Sequence, residues 1–357
     1  MHPQARRFCL FTLFASLIST TGYVYLIAPT WPFSRLHLLT SSSSESSTHG
    51  NSAYATFLGP PTSKSAFEES TNASSASDPL RDPYFISVRL LNYQFNHAER
   101  TKTKLLNVPF LVLVLPEVLS LQTEVLEAEG ATIVRIEPLD VPDAFDRDFI
   151  TNSRFRDVLS KLRLWQLTDW GKILYLDADS FLVQNLDGIF TDPDLSSSMK
   201  TLPSNETDED DSDVHPPEVY LMAASSDTYG DQTEWERPGH INYLCACFML
   251  IAPSLALFDH YVSVLDSAKA LENAAYPEQD LLIYVHRIEG RMPWKRIPIE
   301  WSANDGEMND ELEGGVKSLH VKGWAGAEGG NIASEKYRGV RDRLVEEMSD
   351  YYGSRLR

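Results

Sequence analysis

The segment Lys172-Ile173-Leu174-Tyr175-Leu176-Asp177-Ala178-Asp179 is an apolar run that ends on two carboxylates. Ile173, Leu174, Tyr175 and Leu176 have the β-branched and bulky character of a strand buried on both faces, which belongs in a largely parallel sheet. Asp177 and Asp179 fall where that strand gives out, on one face because strand side chains alternate with a period of two. The carboxyl ends of strands are where open α/β sheets bind ligands. Two hard oxygen donors one residue apart suit Mn²⁺ or Mg²⁺ holding a diphosphate. Taken alone, such a triplet also fits a solvated turn. The aspartyl phosphotransferase motif is set aside, because it takes a small hydroxyl or branched residue where this chain has Phe181.

Around this strand the chain alternates between helical and strand patterns. Ala53 to Leu58 reads as a first strand that stops at Gly59-Pro60-Pro61. Phe85, Val88, Leu91 and Phe95 recur at helical spacing between Tyr84 and His97, behind an Asp82-Pro83 start. Phe110 to Leu115 predicts a strand, Leu119 to Glu129 a helix closed by Gly130, Thr132 to Ile136 a strand, and Phe155 to Thr168 a helix leading into the acidic strand. Tyr220 to Ala224 and Phe248 to Ala252 predict strands, and Leu255 to Ala268 a helix. The alternation predicts an α/β chain with a mostly parallel mixed sheet covered by helices on both faces. Polar inserts are expected near 62–82 and 192–217. The second carries Asp208-Glu209-Asp210-Asp211, read as a solvated surface insertion.

The N-terminus reads differently. Arg6 and Arg7 precede an uncharged apolar run from Phe8 to Ile27, long enough to cross a bilayer, with Trp31 suited to the interface. The expectation is a short cytosolic tail (1–7), a transmembrane signal anchor (8–28), a Ser-rich stem (29–52) and a luminal domain from 53 to 357. A cleaved signal peptide is the alternative. Sequons at Asn72-Ala73-Ser74 and Asn205-Glu206-Thr207 fit a luminal domain. Of the three cysteines, Cys9 lies in the apolar run, while Cys245 and Cys247 read as buried free thiols, poorly placed to pair. A formal net charge of −20 argues against a nucleic-acid partner, which needs a basic face.

The flanks of the acidic strand carry a longer pattern. Lys161-Leu162-Arg163-Leu164-Trp165-Gln166-Leu167-Thr168 precedes it, and Ser180-Phe181-Leu182-Val183-Gln184-Asn185-Leu186-Asp187-Gly188-Ile189-Phe190 follows. From Lys161 to Phe190 the chain resembles glycosyltransferase family 8, the glycogenin-like retaining enzymes, and within it fungal Golgi type II membrane members. The resemblance spans roughly Ala53 to Gly323 with gaps. It implies a single GT-A, Rossmann-like domain, a UDP-sugar donor, a glycan or glycoconjugate acceptor, Mn²⁺ (with Mg²⁺ possible) and a Golgi membrane location.

The resemblance also assigns residues. It makes Asp177 and Asp179 metal ligands and adds His320 from Ser318-Leu319-His320-Val321-Lys322-Gly323-Trp324. Phe57, Gly59 and Tyr84 would line the nucleoside, with Ala178 between the two acids. Lys161, Lys322 and Gly323 would flank the phosphates, and Glu278 and Gln279 of Tyr276-Pro277-Glu278-Gln279-Asp280-Leu281-Leu282 would face the sugar. The chain departs from the family at two points. Cys245 and Cys247 stand where it has Asn and Gly, and Gly326 stands where it has a distal lysine. Those departures keep a second expectation open, a catalytically weak or inactive nucleotide-sugar or glycan-binding protein. Trp294, Trp301 and Trp324, with Glu300 to Asn304, are minor candidates for acceptor contact.

Overall fold

A computed structural model describes residues 51–60, 78–139, 157–203, 214–226, 243–266, 276–303, 315–323 and 335–355. The tail, anchor and most of the stem, both sequons, the acidic run at 208–211, Asn304, Trp324 and Gly326 lie outside the described residues. No described helix is long and apolar enough to cross a membrane.

The strands are β1 (Ser52–Leu58), β2 (Phe110–Val114), β3 (Thr132–Arg135), β4 (Lys172–Leu176), β5 (Ser180–Leu182), β6 (Met199–Lys200), β7 (Val219–Tyr220), β8 (Met222–Ser226), β9 (Leu244–Ile251), β10 (Lys295–Arg296) and β11 (Ser318–His320). The α-helices are α1 (Pro83–Asn96), α2 (Ser120–Ala128), α3 (Pro193–Ser196), α4 (Leu255–Asp266), α5 (Pro277–Val285) and α6 (Glu335–Arg355).

Seven strands form the main sheet in the order β10-β8-β9-β4-β1-β2-β3. β9 pairs antiparallel with both β8 and β4, whereas the other pairings are parallel. The mixed, mostly parallel α/β sheet expected from the alternation is therefore present. Strand order reverses between β1 and β4, because β2 and β3 continue outward on the far side of β1. Such a reversal opens a crevice at the carboxyl ends of the two central strands.

Period-two alternation sorts the core. Ala53, Ala55, Phe57, Ile173 and Tyr175 face one layer, packed with Leu162 and Trp165 of the segment before β4, Tyr261 of α4 and Leu281 of α5. Tyr54, Leu58, Leu174 and Leu176 face the other, packed with Phe85, Val88, Leu91 and Phe95 of α1. Each such aliphatic side chain contributes about 1.5–3 kcal/mol when fully buried. A third cluster joins α1 to β5, β11 and α6 through Leu90, Phe181, Leu319 and Tyr337.

The boundaries follow local chemistry. Asp82 caps α1 by accepting from Phe85 N at 2.8 Å, with Pro83 at the first helical position. Gly130, at φ +97°, ends α2 in a conformation that side chains resist. The helix expected before β4 is present as a 3₁₀ helix over Val158–Gln166, tightened at its end by Leu167 N bonding Leu164 O. The segment from Asp192 is not wholly an insert, because Asp192 caps α3 and β6 pairs with β7.

Candidate active site

β4 ends at Leu176, and Asp177 follows with its N–H bonded to Cys247 O on β9 at 2.8 Å. Ser180 N returns to Asp177 O at 3.0 Å, so the two acids sit in a tight turn that feeds β5. β11 lies antiparallel to β5 with His320 opposite Ser180, and Val321 N bonds Asp179 O at 3.0 Å. This pairing carries His320 across 141 residues of sequence to the acids. Its Nε2 is 3.1 Å from Asp179 Oδ1 and 3.9 Å from Asp177 Oδ2.

One donor atom from each of Asp177, Asp179 and His320 lies within 4.8 Å of the others. An octahedral ion with ligands about 2.1 Å away sets adjacent donors about 3 Å and opposite donors about 4.2 Å apart. The three side chains fit such an ion with small adjustments. Two carboxylates and one imidazole suit Mn²⁺ better than Mg²⁺. His320 Nε2 faces both carboxylates. Burial alone would raise the Asp179 carboxyl, but the charge and hydrogen bond of His320, with Lys322 beyond, hold it below the usual carboxylate range. Burial alone would lower His320, and the facing Asp179 and Asp177 reverse that shift.

Lys161 comes from the 3₁₀ helix and is buried. Its Nζ lies 2.8 Å from Asp177 Oδ1 and 3.0 Å from Glu278 Oε1. Burial disfavours its charge, yet the two carboxylates more than compensate and push its pKa up. The Tyr175 hydroxyl also donates to Asp177 Oδ1, at 2.6 Å, which leaves Oδ2 as the oxygen toward His320. Lys161 is thus a buried bridge between Asp177 and Glu278 of α5.

α5 begins with Pro277, and Glu278 and Gln279 are buried in its first turn. Glu278 Oε2 is buried without a hydrogen-bond partner, an unmet acceptor that a ligand hydroxyl would satisfy. Gln279 Oε1 accepts from Ala246 N at 3.0 Å, which ties α5 to β9.

The two cysteines require a correction. Cys245 and Cys247 are joined in a disulfide across two residues, not left as free thiols. Residues i and i+2 of a strand share a face, and here their Cα atoms are 5.2 Å apart, inside the range that disulfides span. Ser225 Oγ on β8 lies 3.4 Å from Cys247 Sγ. β9 also begins earlier than expected, at Leu244, so both cysteines are inside the strand.

The remaining expected residues are spread around this centre. Phe57 is the penultimate residue of β1, and Gly59 follows the strand, where an added Cβ would lie 3.5 Å from the Phe57 ring. Ala178 is buried, and Tyr84 packs on the α1 side. Lys322 lies near enough to Asp179 to lower its pKa. Gly323 has a reason beyond any phosphate, because a Cβ there would lie 2.4 Å from Arg341 Cδ of α6. Arg341 is itself buried and bonds Ser87 Oγ at 2.8 Å. Trp294 and Trp301 are core residues, and Trp301 carries Lys317 over its ring at 3.2 Å. Sequence reading missed Tyr175, Ser225 and Arg341. Only Tyr175 carried a signal, its place two residues before Asp177 on the same strand face.

No family model matches the chain. An uncharacterized protein of Schizosaccharomyces pombe is 29% identical over 295 residues, which cover 76% of this chain and 74% of that protein. Galactinol synthase 3 of Arabidopsis thaliana is 26% identical over 269 residues, 71% of this chain and 73% of the relative. UDP-glucuronate:xylan alpha-glucuronosyltransferase 1 of the same plant is 27% identical over 181 residues, 47% of this chain and 25% of its own length. The chain is glycosyltransferase-like in sequence, and its described sheet is a mixed, mostly parallel α/β sheet.

Proposed function

We propose that this chain is a UDP-sugar-dependent, retaining glycosyltransferase of the GT-A kind. It would act in the secretory pathway on a glycan or glycoconjugate acceptor, anchored in the Golgi membrane by its N-terminal apolar run. The observation that carries this reading is the convergence of Asp177, Asp179 and His320 on one point beside the unmet Glu278 Oε2. Both lie at the carboxyl edge of a sheet whose order reverses there. The UDP-glucuronate in the name of one plant relative supports the donor class.

Asp177, Asp179 and His320 would hold Mn²⁺, which when bound offsets charge on the diphosphate. Phe57, Gly59 and Tyr84 would border the nucleoside, and Lys322 and Gly323 the diphosphate. Lys161 positions Asp177 and Glu278. Glu278 and Gln279 would face the sugar. In transfer, the anomeric carbon loses its bond to the diphosphate oxygen and gains one to an acceptor oxygen, and the acceptor proton passes to the departing diphosphate. The unmet carboxylate oxygen of Glu278 is placed to stabilise the positive charge that develops on the sugar.

The test is UDP release by the purified chain from a panel of UDP-sugars, with and without Mn²⁺. Release from one donor that depends on Mn²⁺ supports the proposal and names the sugar. A second reading, a nucleotide-sugar or glycan-binding protein with little turnover, is favoured by the Cys245–Cys247 disulfide where an amide side chain would reach a sugar hydroxyl. Mn²⁺-dependent UDP binding without release, across donors and acceptors, would select it.

A further inference from the structure

Cys245 and Cys247 are not used by the proposed transfer, yet they border its centre. One donor atom from each of Cys245, Cys247 and His320 lies within 4.8 Å of the others, and all three residues are buried. We propose that, once the Cys245–Cys247 disulfide is reduced, the two thiolates and the His320 imidazole form a binding site for a thiophilic divalent cation such as Zn²⁺ or Co²⁺. It shares His320 with the hard-cation site on Asp177 and Asp179 and differs from it in offering two sulfur donors in place of the carboxylates.

A tetrahedral ion with sulfur about 2.3 Å and nitrogen about 2.0–2.1 Å away needs donors roughly 3.3–3.8 Å apart. The reduced sulfurs move apart into that range from one face of β9. The backbone between them is held on both sides: Ala246 N bonds Gln279 Oε1 at 3.0 Å, and Cys247 O accepts from Asp177 N at 2.8 Å. Ser225 Oγ, 3.4 Å from Cys247 Sγ, borders the fourth position, which water or the hydroxyl would fill. A purely structural bond explains the pair less well, because a link across two residues closes the shortest of loops and constrains the unfolded chain least. Reduction by an external phosphine and one water breaks the S–S bond: the phosphine gives two electrons and takes the water oxygen to become its oxide, and the two water protons go to the thiols. Both thiol protons leave to solvent when the cation binds.

The experiment treats the full chain with the phosphine, removes it, counts thiols and titrates with Co²⁺. Its readout is the ion's own spectrum, so its failure is distinct from a failure of sugar transfer. The expected result is a gain of two thiols and a thiolate-to-cobalt charge-transfer band. That band should be absent from the oxidised chain and from the Cys245→Ser/Cys247→Ser variant, and retained in Asp179→Asn. In the unmutated reduced chain, Zn²⁺ should slow alkylation of the peptide carrying both cysteines at least tenfold. Failure of the folded chain to release two thiols, or unchanged alkylation with Zn²⁺, would overturn the proposal. So would a band that persists in the double serine variant, which would point to Cys9.

Discussion

Lys161 Nζ stands 3.0 Å from Glu278 Oε1, joining the 3₁₀ helix before β4 to the first turn of α5 inside the protein. The same ammonium touches Asp177 Oδ1 at 2.8 Å, so one buried cation holds two carboxylates of different elements in place. Removing it leaves Glu278 buried without its counter-charge and takes one of the partners of the half-buried Asp177. Lys161→Met is expected to cost about 3–5 kcal/mol of stability, read from urea unfolding midpoints. Adding Glu278→Gln should recover part of that loss. An additive double variant would mean that the pair is not coupled.

The three-ligand site predicts a metal dependence that can be read without any sugar. Asp179→Asn and His320→Ala are each expected to lower Mn²⁺ affinity by about 10–100-fold or more while circular dichroism stays unchanged. Paramagnetic resonance of free Mn²⁺ measures this directly. Wild-type affinity in both variants would remove the site.

Gly323 faces Arg341 so closely that a methyl group cannot be added without moving the arginine. Gly323→Ala is expected to destabilise by about 1–3 kcal/mol through overpacking. Shortening the obstacle in Gly323→Ala/Arg341→Ala should cancel the steric part, leaving the cost of Arg341→Ala alone. Thermal unfolding of the four proteins in this cycle separates the two contributions.

His286 gives a pH prediction away from Asp177, Asp179 and His320. It is fully buried, with Nδ1 2.7 Å from Met292 O and Nε2 2.6 Å from the Tyr261 hydroxyl, which fits a neutral ring that donates to the carbonyl and accepts from the phenol. Burial lowers its pKa from 6.5 to about 4. Between those values the unfolded chain binds a proton that the folded chain refuses, so stability falls as pH drops from about 6.5 toward 4. At 1.36 kcal/mol per pKa unit, the full loss is roughly 3 kcal/mol. His286→Gln should remove that share of the acid sensitivity. An equally steep pH dependence in the variant would show that other groups account for it.

Much of this protein was readable in the chain. β1, α1, β2, α2, β3 and β4 stand within a residue or two of their expected places, because apolar periodicity, the Asp82-Pro83 start and the Gly130 stop are local signals. Asp177 and Asp179 were readable for the same reason, since an apolar run that ends on two acids specifies a strand end and its face. The 3₁₀ winding of the helix before β4 was not. Its apolar residues suit α and 3₁₀ winding alike, and the tighter turn is set where the segment packs against β4 and α5.

The sequence by itself determined that an α/β sheet would present two carboxylates at a strand end, because propensity and alternation act between near neighbours. Only the tertiary structure decided what meets those carboxylates. β11 brings His320 to Asp179 through its pairing with β5, α5 brings Glu278 to Lys161, and β9 sets its disulfide against His320. These contacts link residues far apart in sequence, and their partners are chosen by strand pairing and packing rather than by any local pattern.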